Sequence, residues 1–137
     1  MIIQTDIRII TSMIEKCDRL IEISQNYSDE EIKANYLLSD SIQFEFEKLY
    51  EDSTRLSAEL RVDNPDFHID DLRGIRNRVA HNYESVSLKI LIDTIRNNIP
   101  ALRDTLFEFI NRWIHLSVLY RLLQFTQKNL GKINLGK

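Results

Sequence analysis

Residues 88–123 read LKILIDTIRNNIPALRDTLFEFINRWIHLSVLYRLL and form the longest periodic stretch of the chain. The apolar residues in it recur at alternating steps of four and three, which is the spacing of one face of an α-helix. They are Leu88, Ile92, Ile95, Ile99, Leu102, Leu106, Phe109, Trp113, Leu116, Tyr120 and Leu123. This regularity predicts helical structure across the stretch.

A proline lies inside the stretch. Pro100 lacks the backbone N–H and its ring clashes with the preceding turn, so it must break or kink a helix. Asn97 and Asn98, just before it, are good N-cap residues for a new helix. We therefore predict two nearly collinear helices, at about 88–97 and 99–129.

Further helices are predicted upstream. The first carries an apolar stripe with the same alternating spacing, made of Ile3, Ile7, Ile10, Ile14, Cys17 and Ile21. The residues Ser28–Glu31 resemble a capping box that begins a second helix, which is expected to continue to about Leu60. A proline-containing loop is predicted at 63–66, followed by a shorter helix from about Ile69 to Ala80.

Few residues of the chain break regular structure, since it has 3 Gly and 2 Pro in 137 residues. Sandwiches, barrels and Gly-rich nucleotide loops need these residues at their corners, so the scarcity argues against all three. We predict an all-α, up-down bundle of four to five helices. It is expected to form a single domain over residues 1–137, with a C-terminal helical extension from about 113 and a frayed tail from Asn129.

The end of the terminal stripe suggests self-association. The stripe is longer than one domain is wide, and its last part, Trp113 to Leu123, is rich in aromatic residues. Excess apolar surface of this kind usually packs against a partner helix. A homodimer is therefore predicted.

Charge is distributed unevenly along the chain. The net charge is −3, but residues 1–110 carry −8 and residues 111–137 carry +5. An acidic protein does not bind nucleic acid indiscriminately, so any nucleic-acid chemistry needs a local basic site or the basic tail. The tail fits either a solvated helix end, where the helix dipole favours cations, or a phosphate contact.

Other features bear on location and cofactors. The single cysteine, Cys17, can form neither an internal disulfide nor a thiolate metal site, and its place on the first stripe suggests a core residue. The N-terminus does not resemble a signal peptide, and the longest uncharged run, Trp113 to Tyr120, is far too short for a membrane span. We expect a cytoplasmic protein without membrane contact, metal site or cofactor.

The chemistry of the chain is concentrated in residues 72–84, which read LRGIRNRVAHNYE. Helical spacing allows Arg73, Arg76, Asn77 and His81 to share one flank, with Leu72, Ile75 and Val79 on the other. Arginine offers a fork of donors for phosphate oxygens, and histidine gives or takes a proton near neutral pH. These groups suffice for RNA cleavage without a metal, while a glycine inside the helix, Gly74, suggests that another helix or a ligand approaches there.

A structural interpretation of the same residues is also open. Arg-rich turns are commonly solvated faces paired with acids, and Asp70 and Asp71 lie one turn before Arg73. A histidine at a helix C-terminus is stabilised by the dipole without any catalytic role. Spacing alone favours this interpretation over catalysis.

The run from Arg76 to Tyr83 resembles the R-x4-H-x-Y motif of HepT, the HEPN-domain ribonuclease toxins that are paired with minimal nucleotidyltransferase (MNT) antitoxins. The lead Leu72–Ile75, the next helix start at Val86–Leu91 and the step Ile99–Leu102 are similar to the family pattern as well, so the resemblance covers roughly residues 4–112. The chain departs from that pattern at Phe67 and His68, where the family often has Pro-Trp. His68 and His115 have no motif support and are expected to be structural or solvent-facing.

The resemblance implies roles for individual residues. Arg76 and His81 match the catalytic pair, and Asn77 matches the supporting polar residue. Tyr83 matches the tyrosine that the antitoxin modifies with AMP, although a half-buried ring bonded to a loop carbonyl is the structural alternative. Glu51 lies near a helix-two glutamate that is common in the family and is a candidate partner of Arg76, with Arg73 as a further supporting residue; Tyr50 replaces the glycine beside that glutamate.

Two functions from different classes follow. The first is an endoribonuclease toxin that is metal-independent, active as a homodimer and neutralised by an MNT-type nucleotidyltransferase, as the resemblance implies. The second is a non-catalytic helical module whose arginine cluster binds a nucleotidyltransferase partner or a nucleotide.

Overall fold

The computed structural model describes the backbone of residues 4–81 and 85–135, and the side chains of that part apart from residues 81, 85–87 and 133–135. Its helices are α1 (Gln4–Asn26), α2 (Asp29–Ala34), α3 (Tyr36–Arg55), α4 (Ala58–Asp63), α5 (Ile69–His81), α6 (Ser85–Asn97) and α7 (Ile99–Leu135), with one 3-10 turn at Pro65–Phe67. No strand occurs among the described residues. The predicted all-α bundle is confirmed, and five of these helices have 13 residues or more.

The core forms where α3 packs against α1 and α5, and where α6 packs against α1. The largest fully buried side chains are Phe46, Phe67, Ile10, Met13, Leu20, Ile32, Ile42, Leu49, Ile92, Ile95, Ile99 and Leu106. The stripe predicted for α1 is shifted, because its buried centre is Ile10, Met13 and Cys17, whereas Ile7 and Ile14 are half-buried. Cys17 is fully buried, as predicted. Burial is the main reason why the pKa of its thiol is raised to about 12.

The single second helix predicted to continue to about Leu60 is wrong, because this stretch forms three helices, α2, α3 and α4. The Ser28 hydroxyl does cap a helix, since it accepts from the N–H of Glu31. The chain then breaks at Asn35, whose side chain caps α3 by accepting from the N–H of Leu37. It breaks again after Arg55, where Ser57 caps α4 by accepting from the N–H of Leu60. The second helix was predicted from an apolar face that continues past the second break, which is why a single helix was expected. That face consists of Leu38, Ile42, Phe46, Leu49, Leu56 and Leu60.

Buried carboxylates join α1 to the following helices. Asp6 of α1 is buried and accepts the backbone N–H of Ser57 at 2.9 Å. Asp52 of α3 is 4% exposed and lies 2.8 Å from the ammonium of Lys16 on α1. Since charges are rarely buried without partners, these contacts fix the position of α3, which carries one wall of the candidate site.

The boundary between α6 and α7 agrees with the prediction. Asn98 forms the turn between them, and Pro100 lies in the first turn of α7, where its missing N–H costs no hydrogen bond. The frayed tail predicted from Asn129 is wrong, because α7 continues to Leu135.

The chain divides into two compact units, Met1–Phe107 and Glu108–Lys137. Within the second unit many large apolar side chains are exposed: Ile114, Leu116, Val118, Leu119, Tyr120, Leu122, Leu123, Phe125 and Leu130. The homodimer and the extension of a single domain from about 113 stay predictions. Among the described residues, no helix has both the length and the hydropathy of a membrane span.

Candidate functional site

The helix α5 carries the candidate site and has two chemically different flanks. Leu72 and Val79 are buried against the core, and Ile75 is half-buried. Asp70 and Asp71 stand in its first turn, where the positive end of the helix dipole favours acids. The buried flank therefore fixes the rotation of α5 and directs Arg73 and Arg76 towards α3.

Both arginines contact one tyrosine of α3. The Nε of Arg73 donates to the hydroxyl oxygen of Tyr50 at 3.2 Å, and its Nη1 donates to Asp70 at 3.1 Å. The guanidinium carbon of Arg76 lies 4.9 Å from the centroid of the Tyr50 ring. The structure thus brings two of the predicted site residues together, as expected from their spacing on one flank.

The paired cations change the acidity of the groups around them. The hydrogen bond from Arg73, and then that from Arg76, hold the pKa of Tyr50 below its ordinary value. The same hydrogen bond to Tyr50 is the main reason why the pKa of Arg73 is raised. The Arg73 guanidinium therefore stays charged near neutral pH, and the Tyr50 hydroxyl oxygen accepts from it.

A groove of about 380 Å³ runs between α3 and α5 beside Arg76. It is lined by Asp40, Gln43, Phe44, Glu47, Arg76, Val79 and Ala80. Phe44 is exposed there, with the ammonium of Lys48 at 5.5 Å from its ring centroid. The groove therefore combines an apolar floor, two carboxylates and one guanidinium.

The other predicted site residues lie as follows. Asn77 is exposed on α5. His81 ends α5, and its side chain lies outside the described residues, as does the whole of Tyr83. Glu51 forms an ion pair with Lys48 at 3.1 Å, so its carboxylate is directed to that residue and the contact with Arg76 is made by Tyr50.

A second cavity, of about 530 Å³, lies on the opposite flank of α5. Gly74 and Arg78 line it together with residues of α6 and the first turns of α7. A side chain built at Gly74 would meet no atom within 4 Å. The expected close approach of another helix to this glycine is therefore not made by the described part of the chain, and an approaching ligand stays a prediction.

The remaining histidines are exposed, as predicted. His68 has a left-handed backbone (φ 53°) after the 3-10 turn, and its Nδ1 lies 3.1 Å from a carboxylate oxygen of Asp71. The Nδ1 of His115 lies 2.8 Å from the carbonyl of Asn111. In the described part of the chain, no group of three His, Cys, Asp or Glu side chains is placed to hold a metal ion.

A family model described as "Ribonuclease HepT-like" matches residues 13–109, more than half of the chain. The chain belongs to the HepT-like ribonuclease family. The matched range contains α3, α5 and every predicted site residue. The Arg73–Arg76 pair therefore lies in the part of the chain that this HepT-like family model covers. No solved structure matches the chain.

Sequence reasoning missed Tyr50 as a member of the site. In the resemblance, Tyr50 is only the residue that replaces a glycine next to Glu51. The signal that could have found it is the phase of α3, because Tyr50 lies four residues after Phe46 and follows the buried Leu49, at the edge of the buried face.

Proposed function

We propose that this chain is the toxin of a HEPN/MNT toxin–antitoxin pair, a metal-independent endoribonuclease whose catalytic pair is Arg76 and His81. The observation that supports it best is the pair of charged guanidiniums held side by side on the flank of α5, a helix that ends at His81. Membership of a ribonuclease family supports RNA as the substrate.

The proposed step is an in-line transfer at phosphorus. An imidazole of His81 takes the proton of a 2′-hydroxyl, whose oxygen forms a bond to phosphorus while the bond to the 5′-oxygen breaks. The 5′-oxygen leaves with a proton, so the products are a 2′,3′-cyclic phosphate and a 5′-hydroxyl. Arg76 stabilises the negative charge that develops on the phosphoryl oxygens, and Asn77 orients the same group.

A homodimer gives this chemistry its second proton-transfer group. One imidazole cannot be both base and acid in a single turnover, whereas two copies related by a two-fold axis supply two. The exposed apolar residues of Glu108–Lys137 support self-association, because surfaces of that extent commonly mark contacts between proteins.

Neutralisation is proposed to occur at Tyr83, by transfer of AMP from ATP with release of pyrophosphate. The added phosphate stands two residues from His81, where it repels RNA and obstructs its approach. Intact-mass measurement after incubation with the MNT-type nucleotidyltransferase and ATP tests this. An active partner that adds no AMP mass, or adds it equally to Tyr83→Phe, overturns the modification.

The decisive experiment is RNA cleavage in EDTA with analysis of the product ends. We expect His81→Ala to lower kcat by about 10²-fold or more and Arg76→Ala by about 10²- to 10³-fold. Two matched controls should cleave like the wild type: His68→Ala, which changes a histidine just before α5, and Arg78→Ala, which changes an arginine within α5. Equal cleavage by all variants contradicts the site, and a metal requirement or 5′-phosphate products contradict the mechanism.

The second candidate is a non-catalytic module that binds a nucleotidyltransferase partner. The observation in its favour is the groove beside Arg76, where Asp40 and Glu47 repel phosphate and would suit a basic partner. An inactive wild-type chain that still binds the nucleotidyltransferase, with binding weakened by Asp40→Asn and Glu47→Gln, supports this function instead.

A further inference from the structure

Tyr50 occupies the point where α3 faces both site arginines of α5. Its hydroxyl accepts from Arg73 at 3.2 Å, and its ring faces Arg76 at 4.9 Å. We propose that Tyr50 is the positioning residue of the arginine pair, holding Arg76 and Arg73 ready for a phosphate. This inference rests on the proposed function, since the phosphate is that of RNA.

The way in which Arg76 is held matters for its chemistry. The guanidinium of Arg76 lies against the Tyr50 ring and also bonds its hydroxyl, and its remaining N–H groups stay available for phosphate oxygens. A carboxylate partner would accept from those same N–H groups. The carboxylate of Glu51 pairs with Lys48, so Arg76 is fixed by a neutral ring and hydroxyl and not by a carboxylate that would compete with the substrate.

Arg73 is held by the other part of the same side chain. Its Nε bonds the Tyr50 hydroxyl and its Nη1 bonds Asp70, so two of its three nitrogen atoms fix the plane of the guanidinium. One tyrosine therefore sets two cations side by side, which would otherwise repel each other. The Tyr50 hydroxyl oxygen, which accepts from Arg73, offsets part of that repulsion.

Tyr50 can do this because its helix is held firmly. Two residues further along α3, the buried Asp52 bonds Ser12 and Lys16 of α1. The position of the ring is thus set by the core of the bundle, whereas Arg73 and Arg76 reach it from the opposite helix.

The test separates the ring from the hydroxyl. Tyr50→Leu removes both contacts, and Tyr50→Phe keeps the ring under Arg76. We expect Tyr50→Leu to lower kcat for RNA cleavage about twofold to fivefold, the range of an exposed cation–π contact. Tyr50→Phe, which loses only the hydroxyl that holds Arg73, should lower kcat by less than Tyr50→Leu does. Tyr36→Leu is the control, since Tyr36 is 71% exposed at the start of the same helix.

A double-mutant cycle distinguishes positioning from a general structural effect. If Tyr50 acts through the two arginines, Tyr50→Leu has no further effect on the residual cleavage of a variant that carries both Arg73→Ala and Arg76→Ala. Effects that multiply, or a loss in Tyr36→Leu equal to that in Tyr50→Leu, overturn the proposal.

The ionisation of Tyr50 gives a readout that does not depend on cleavage. The phenolate absorbance of Tyr50, obtained as the difference between the wild type and Tyr50→Phe, is expected to titrate below the ordinary range and to move up in Arg73→Leu and in Arg76→Leu. An unchanged titration in both variants overturns the proposal. A wild type that cleaves no RNA refutes the proposed function instead, and the titration alone then decides whether Tyr50 holds the arginines.

Discussion

Replacement of Asp52 by asparagine tests the contact between α1 and α3 on which the position of Tyr50 depends. The Asp52 carboxylate accepts from the Ser12 hydroxyl at 2.8 Å, the Lys16 ammonium at 2.8 Å and the Arg55 guanidinium at 2.6 Å. Asparagine keeps the shape and an acceptor oxygen but removes the negative charge. The variant therefore leaves the ammonium of Lys16 without its counter-ion.

The expected loss in the free energy of unfolding is about 3 kcal/mol. The Arg55 side chain is 65% exposed, so its pair contributes little, at most about 1 kcal/mol. The Lys16 side chain is 14% exposed, and breaking a buried pair by removing one partner costs about 3–5 kcal/mol. The lower end applies because Lys16 retains some access to water, and the corresponding fall in Tm is roughly 10 °C.

The loss should depend on pH. Burial alone would raise the pKa of Asp52, but the hydrogen bonds from Lys16, Ser12 and Arg55 outweigh it and leave the pKa below its ordinary value. A carboxyl with a lowered folded-state pKa stabilises the fold above its unfolded pKa, near 3.9, and this stabilisation is lost as the pH falls through the folded pKa. The difference between wild type and Asp52→Asn is therefore constant from about pH 8 to pH 5 and shrinks below about pH 4.

Urea denaturation followed by far-ultraviolet circular dichroism measures both effects. Asp40→Asn is the matched control, an exposed acid of the same helix, and should change stability by less than about 0.5 kcal/mol. Adding Lys16→Met to Asp52→Asn removes the unpaired charge and should restore most of the loss. A loss below about 1 kcal/mol for Asp52→Asn, or one that is the same at pH 3, refutes the reasoning.

Three further substitutions or treatments test other parts of the fold. Gly74→Ala should stabilise the chain by about 0.5–1 kcal/mol in thermal or urea unfolding, because the added methyl group meets no atom within 4 Å; a loss of stability would contradict this. The Cys17 thiol should react with a thiol reagent only after unfolding, since it is fully buried and its pKa is raised to about 12; labelling of the native protein as fast as of the urea-unfolded chain is the contrary result. Arg96→Ala should cost about 1–2 kcal/mol, because Arg96 bonds Asp29 and two backbone carbonyls near the end of α1; Arg112→Ala, at an exposed position, is its control.

Much of the fold was predictable because its signals are local. The alternation of four and three located α1, α6 and α7, and the capping box at Ser28 began a helix where it was expected. The break after Arg55 was missed because the apolar spacing continues across it, and the break at Asn35 was missed because it lies between the capping box and the first residue of that apolar face, Leu38. Their causes are a side-chain cap at Asn35 and a hydrogen bond from Ser57 to Asp6, 51 residues away in sequence.

Only the α5 part of the candidate site was predictable from the sequence. Helical spacing placed Arg73 and Arg76 on the same flank of α5, and both do contact one residue of α3. The identity of that residue could not be derived from spacing, because it depends on how α3 packs against α5. Tyr50 stands where the family pattern has a glycine, so the resemblance to the family predicts Glu51, and not Tyr50, as the partner of Arg76.

The partners of α1 also determine when during synthesis this protein can fold. Ser12, Asp6 and Asp18 bond residues that lie 40, 51 and 85 positions further along the chain, the last being Arg103. A growing chain on the ribosome has therefore already produced the arginines of α5 while α1 still lacks one of its polar partners. Because a domain of this kind folds as a unit, the Arg73–Arg76 pair takes up this geometry only after Arg103 has left the ribosome.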